Sequence, residues 1–244
     1  MAETRFHLRA LGTHGSAHTA PYPSRKALMA DDSSGTSTAT SGSLTAIGLN
    51  CTLKPSGDSS TEALVSELLD ELRGHGVTSG PILRVAASGV LAGVTSDEGD
   101  GDGWPTIRSQ ILAADILVLG TPIWMGHPSS YAQRVLERLD AFLGETADDD
   151  RPIAYDRVAV VAVVGNEDGA HNAGAVLFQG LNDVGFTIPA HGMTYWVGEA
   201  MHKVDYQDLE HRPAKTREAT KMAATNAAHL AQLLRGNGYR TESS

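Results

Sequence analysis

Three short stretches, residues 44–49, 116–120 and 158–164, are apolar almost from end to end. A strand with one wet face alternates apolar and polar side chains, whereas a strand buried on both faces does not. All three fall far below the roughly 18–20 residues of a membrane span. They therefore read as parallel strands covered by helices on both sides. Residues 82–86 and 186–189 supply a second and a fifth strand. Amphipathic segments fill the intervals. The first helix begins near Ser60, where Ser59 and Glu62 stand at capping-box spacing, and carries a stripe of Leu64, Leu68, Leu69 and Leu72. Gly74 or Gly76 is its stop. A second helix runs from Trp104 to Ala114. A third follows Pro128 with Ala132, Val135, Leu136, Leu139 and Phe142 inward and Gly144 as its stop. A fourth carries Val176, Leu177, Leu181 and Val184. The long C-terminal helix is expected to bury Met222, Ala223, Ala227, Leu230 and Leu234. Five strands alternating with five helices predict an α/β fold with a doubly wound parallel sheet.

The first 43 residues differ from the rest. They are rich in Ser, Thr, Ala, Gly and Pro, and 32–43 reads as a linker, so residues 1–43 are expected to be a flexible tail and 44–240 one domain. The same tail leaves room for a partner-docking arm or, through Arg5, Arg9, Arg25 and Lys26, an organelle-targeting peptide. Without an apolar leader or span, a cytoplasmic location is the expectation. A net charge of −10 argues against nucleic acid or an anionic membrane as the main partner. Cys51 is the one cysteine, which excludes an internal disulfide and a four-cysteine metal site. The acidic runs 97–102 and 145–150 lack converging histidines and read as solvated loops, so no metal is expected.

Doubly wound sheets bind ligands beyond the carboxyl ends of their strands, where strand order reverses. The loop after the first strand, Asn50 to Thr61, is crowded with hydroxyls, carries Lys54 and runs into a helix start. Unpaired N–H groups and the positive end of the helix make that start a seat for phosphate. Cys51, Thr52, Lys54, Ser59, Ser60 and Thr61 are the candidate residues there. The serines and threonine alone are equally what a helix cap uses, and Cys51 alone reads as a small buried filler. The loop after the third strand offers Pro122, Ile123, Trp124, Met125 and Gly126, a flat aromatic beside a glycine that permits close approach. The loop after the fourth strand offers Asn166, Glu167, Asp168, Gly169 and His171, whose glycine and asparagine suit positive φ and exposed N–H groups. Three such loops at three strand ends suggest one ligand with a phosphate and a flat body, as in flavin mononucleotide (FMN). No catalytic residue is named, since flavin accepts hydride on its own ring. Residues 193–198, around Trp196, read as a loop that caps the flavin, meets another subunit or simply packs.

Asn50-Cys51-Thr52-Leu53-Lys54 and the following Ser59-Ser60-Thr61-Glu62-Ala63-Leu64 resemble the phosphate loop of the NADPH-dependent FMN reductases. Cys51, Lys54 and Ser60 stand where that family often has serine, arginine and asparagine. The 121–130 and 165–171 loops are similar to its two ring-contacting loops, and the resemblance spans about 44–235. It implies a flavodoxin-like five-stranded parallel sheet of order 2-1-3-4-5 with helices on both faces. It implies FMN as cofactor, NAD(P)H as co-substrate, a small-molecule electron acceptor such as a quinone or another flavin, and a homodimer or homotetramer. An electron-transfer flavodoxin and a non-catalytic flavodoxin-fold binding module are the rival readings. The triphosphate-binding loop and the serine nucleophile elbow are both missing from the sequence, and Gly99, Gly101 and Gly103 have the wrong spacing for a dinucleotide fingerprint.

Overall fold

The structure, a computed structural model, describes residues 42–200 and 203–240. The tail expected at 1–43 lies almost wholly outside the described residues. Five strands, β1 (Thr45–Asn50), β2 (Thr78–Arg84), β3 (Ile116–Trp124), β5 (Val158–Gly165) and β6 (Met193–Val197), form a parallel sheet in the order β2-β1-β3-β5-β6. This is the expected flavodoxin-like order. A two-residue strand, β4 (His127–Pro128), folds back antiparallel on the end of β3. The helices are α1 (Ser60–Gly74), α2 (Trp104–Ala113), α3 (Ser130–Leu139), α4 (Ala170–Asp183) and α5 (Ala214–Gly236).

Alternate residues of each central strand feed two separate cores. Ala46, Val118, Val160, Ala162 and Val164 face α1 and α5 with Leu64, Leu68, Leu72, Ala223 and Ala227. Leu49, Leu117, Leu119, Val161 and Val163 face α2, α3 and α4 with Ile107, Val135, Phe142, Leu177 and Leu181. That two-sided burial is why β3 and β5 are apolar throughout. On the α1 face, Gly48 and Gly120 leave room for Val65: a Cβ on Gly120 would stand 2.3 Å from Val65 Cγ2.

Several expectations need correction. The second strand ends at Arg84 rather than Ala86, with Val85–Ala87 in a 3-10 turn. It is an edge strand, which tolerates its proline, Pro81. Residues 186–189 are not the fifth strand. Thr187 makes a single parallel bridge to Val158 before Pro189, without an N–H, and His191, at φ 54°, carry the chain away from the ladder. Pairing resumes at Met193 beside Val161, so 193–197 is a strand and not a loop. In α5, Ala223, Ala227 and Leu234 are buried as expected, but Met222 points outward and Ala224, Ala228 and Ala231 complete the packed ridge. Small side chains let that helix lie close to its neighbours.

The acidic run 97–102 is not wholly solvated. Asp102 accepts hydrogen bonds from the N–H groups of Leu91, Glu98 and Trp104 at 3.1, 3.0 and 3.0 Å, and from Arg138 at 2.6 Å. Both side chains of that ion pair are fully buried. In the second run Glu145 pairs with Arg108 and is largely covered.

Candidate functional site

Because β1, β3, β5 and β6 run parallel, the loops after them gather at one end of the sheet. The first loop is ordered by Asn50, the buried last residue of β1. Its Oδ1 accepts Thr52 N–H at 3.0 Å, and its Nδ2 donates to Ser59 Oγ at 3.3 Å and to Glu62 Oε2 at 2.9 Å. Arg84 pairs with Glu62 and donates to the Gly57 carbonyl at 2.8 Å. Ser59 caps α1, accepting Glu62 N–H at 3.2 Å. Glu62 does not complete a capping box, because its carboxylate is taken by Asn50 and Arg84. The N–H groups of Ser60 and Thr61 lie in the first helical turn, where helix geometry gives them no partner.

The second loop is shorter than the sequence suggests, because β3 continues to Trp124. Met125 (φ 53°) and Gly126 (φ 75°) make a two-residue turn into β4, both residues in the left-handed region as a type I′ hairpin demands. Methionine is a costly residue there. The turn is secured from outside: Met125 N–H donates to Glu167 Oε1 at 3.0 Å, and Asn172 Nδ2 donates to the Gly126 carbonyl at 2.9 Å. Gly169 packs so closely that a Cβ on it would sit 2.5 Å from Gly126 Cα. In the third loop, Asn166 Nδ2 donates to Asp205 Oδ1 at 3.0 Å.

These loops enclose a cavity of about 430 Å³. Of the candidate residues, it is lined by Thr52, Lys54, Ser59, Ser60 and Thr61 from the first loop, by Pro122, Ile123 and Trp124 from β3, and by Asn166 and Glu167 from the third. The others do not line it. Cys51 is fully buried, its N–H bound to the Gly120 carbonyl at 2.9 Å and its carbonyl to Ser129 Oγ at 2.6 Å. It extends the ladder and faces the core, where burial pushes its thiol pKa well up. Met125 is 87% exposed at the tip of its turn. Gly126 and Gly169 press on each other, Asp168 accepts the N–H of Gly169 at 2.7 Å, and His171 stands edge-on to Tyr195 at 5.1 Å.

Another wall is legible in the sequence only in part, through the stretch 193–198 around Trp196. It is built by Trp196 of β6 and by Asp205, Tyr206 and Gln207, which form a turn after it. Val164, Gly165 and Asp58 complete the lining. The Tyr206 ring lies 5.4 Å from that of Trp196 and tilted to it by 50°, and its hydroxyl donates to Glu67 Oε2 at 2.5 Å. Burial, then the Glu67 carboxylate, pushes that phenol up. Arg212 lies 4.5 Å over the Tyr206 ring and donates to Glu67 Oε1 at 2.6 Å. Gln207 N–H donates to Ser60 Oγ at 3.3 Å, which ties this turn to the start of α1. The signal available was position alone: this segment follows the last strand at the same end of the sheet.

The cavity thus has donors and Lys54 around one helix start, aromatic surface on Trp124 and Trp196, with the buried Tyr206 behind Trp196, and a buried Gln207 Oε1 with no hydrogen-bond partner among the described residues. Its volume is that of an ordinary small-molecule site. FMN fits this donor set: hydroxyls and N–H groups for phosphate, flat apolar walls for the ring, an open acceptor for a ligand N–H. A second, polar cavity of about 500 Å³ lies across Ser59. Its guanidinium groups, Arg84 and Arg212, are already engaged by Glu62 and Glu67.

The sequence pattern of the family described as NADPH-dependent FMN reductase matches residues 45–202. The chain is similar to the 8-demethyl-8-aminoriboflavin-5'-phosphate synthase of Streptomyces davaonensis, 29% identical over 210 residues, covering 82% of this chain and 81% of that protein. It is similar to the divalent metal cation transporter MntH of Mycobacterium bovis, 34% identical over 199 residues, which is 79% of this chain; it spans only 29% of that relative's length. Among the described residues no helix is long and apolar enough to cross a membrane. Among solved structures, RosB with bound 8-demethyl-8-formylriboflavin-5'-phosphate superposes with a TM-score of 0.72 at 28% identity, covering 82% of this chain and 83% of that one.

Proposed function

The chain belongs to the NADPH-dependent FMN reductase family, and on that premise we propose that it is an FMN-dependent NAD(P)H oxidoreductase delivering electrons to a quinone, another flavin or a similar small acceptor. One observation carries this reading: a helix start rich in donors and the side chains of Trp124 and Trp196 border the same cavity at the carboxyl end of the sheet. Thr52, Lys54, Ser59, Ser60 and Thr61 would hold the phosphate. Pro122, Ile123, Trp124, Asn166, Glu167, Trp196 and Tyr206 would border the ring. When bound, FMN supplies the two-electron chemistry, accepting hydride from reduced nicotinamide. The chain's own part is to neutralise phosphate with Lys54 and the helix end, to exclude water with Trp196 and Tyr206, and to keep the Trp124 hairpin in place through Glu167. Residues 44–240 form the FMN-binding unit in this reading, and a homodimer or homotetramer in the cytoplasm is part of it.

Anaerobic mixing of the FMN-loaded protein with NADPH or NADH tests it. The oxidised flavin band at ~450 nm is expected to bleach. No bleaching by either nucleotide, in a preparation that dithionite does reduce, overturns the reductase in favour of an electron carrier.

A second reading takes FMN as a substrate altered on its ring. It is favoured by the match, over four-fifths of both chains, to a relative named as a riboflavin-phosphate derivative synthase, and by the RosB superposition. Mass spectrometry of flavin recovered after turnover separates the two. Unchanged FMN supports the reductase, and a new flavin mass supports the modifying enzyme.

A further inference from the structure

Tyr206 is a fully buried side chain whose phenol no step of the proposed reaction uses. It belongs to a segment, 203–212, that lies beyond the family's matched stretch, which ends at residue 202. Its hydroxyl donates to Glu67 Oε2 at 2.5 Å, and Arg212 Nε donates to Glu67 Oε1 at 2.6 Å. A carboxylate accepts through both oxygens, so one side chain holds two residues of this segment at once. The Arg212 guanidinium in turn lies 4.5 Å over the Tyr206 ring and donates from Nη1 to the Tyr206 carbonyl at 2.7 Å. Ring, hydroxyl and main chain of Tyr206 are all tied to Glu67, directly or through that arginine.

Glu67 itself borders neither cavity. It stands about two turns into α1, roughly 10 Å along the axis from Ser60. What it reaches is a wall of the flavin cavity. Tyr206 backs Trp196 with ring centres 5.4 Å apart, and Trp196, Asp205 and Gln207 all border the cavity. A binding wall is precise only when the side chains behind it are locked by packing and hydrogen bonds of their own. Without Glu67 the buried phenol hydroxyl would also lose its acceptor, which is costly in a site closed to water.

We propose that Glu67 is a positioning residue for the flavin ring: through Tyr206 it sets the place of Trp196 and of the turn at 205–207, and with it the affinity of the cavity for the ring. The inference rests on the FMN reading above. It puts control of the ring half of the ligand in a contact between α1 and the segment after β6, while the first loop holds the phosphate half.

Parallel titrations of FMN and riboflavin into wild type, Glu67→Gln and Tyr206→Phe test it, followed by flavin fluorescence, with circular dichroism as the check on folding. Glutamine keeps the shape but has one acceptor oxygen for two donors, and phenylalanine keeps the ring without the hydroxyl. Each variant is expected to bind both flavins about fivefold more weakly, with the ratio of FMN to riboflavin affinity as in wild type. The double variant is expected to lose little more than the larger single loss, because both changes break one contact. Additive losses overturn the route through Tyr206. A loss confined to FMN means that the change travels along α1 to the phosphate seat, and it overturns the inference while the FMN site stands. Unchanged affinities in both variants do the same. If Glu67→Gln fails to fold, Tyr206→Phe, which removes a single oxygen atom, decides the matter by the same ratio. A wild type that binds neither flavin overturns the site and the inference together.

Discussion

Asp102 sits in a run of acid and glycine that reads as solvated loop, yet its carboxylate is sealed against Arg138 beneath Trp104, whose ring lies 5.7 Å from that guanidinium. Burial alone would raise its pKa. The N–H groups of Glu98, Trp104 and Leu91, with Arg138, outweigh that and hold it at about 2. A folded-state pKa below the unfolded value stabilises the protein above the ordinary carboxylate range, and that stability is lost as pH falls through it. Asp102→Asn strands a buried guanidinium, and urea unfolding at pH 7 is expected to show a loss of about 3 kcal/mol. Between pH 4 and pH 2 the gap between wild type and variant should close by about 2 kcal/mol. A gap that stays constant over that window refutes the assignment. Cys51 teaches the same lesson from the other side. It stands in a loop that reads as a ligand seat, yet taken alone it reads as a small buried filler, and the ladder bond to Gly120 and the core beneath it make it the filler.

At the scale of elements, the strands buried on both faces were legible because burial leaves no polar residue to interrupt them. The edge of the sheet was not. Phe186 is buried and packs 6.5 Å from Phe142, so 186–189 carries an apolar signal without being a strand; Pro189 and the turn at His191 postpone pairing to Met193. In α5 the inward turn of Ala223 and Ala227 was legible, but hydropathy added Met222, whereas close packing took Ala224, Ala228 and Ala231. The seat of α1 depends on a missing side chain in the same way. At Gly120 a Cβ would stand 2.3 Å from Val65 Cγ2 and 3.0 Å from Thr61 Cγ2. Gly120→Ala is therefore expected to cost about 1–3 kcal/mol in denaturant unfolding. It should also weaken FMN binding several-fold in a fluorescence titration, because Thr61 belongs to the first turn that lines the cavity. A folded variant with unaltered FMN affinity would mean that the helix start does not hold the phosphate.

For the whole molecule, the parallel sheet brings the ends of four strands to one place, so the fold itself announces where a ligand goes. Three of the four contributing segments carry recognisable loop chemistry and were read from sequence. The fourth, Asp205 to Gln207, is joined to the site through Ser60, Asn166 and Glu67, residues 39 or more positions away in the chain, and such contacts exist only after folding. A ligand that binds only the folded state raises stability by about 2.7 kcal/mol at a hundredfold excess over Kd, or roughly 5–10 °C in Tm for a domain of this size. FMN is expected to produce such a shift in thermal denaturation and riboflavin, without the phosphate, a clearly smaller one. Equal shifts would sink the roles given to Thr52, Lys54, Ser59, Ser60 and Thr61. The contact between Gly126 and Gly169 has an evolutionary corollary. Two loops whose main chains touch cannot lengthen independently: an insertion in the hairpin must be answered in its neighbour. Insertions are therefore expected to be better tolerated in the first loop and in the turn at 205–207, which meet through the Ser60 hydroxyl, than in the hairpin.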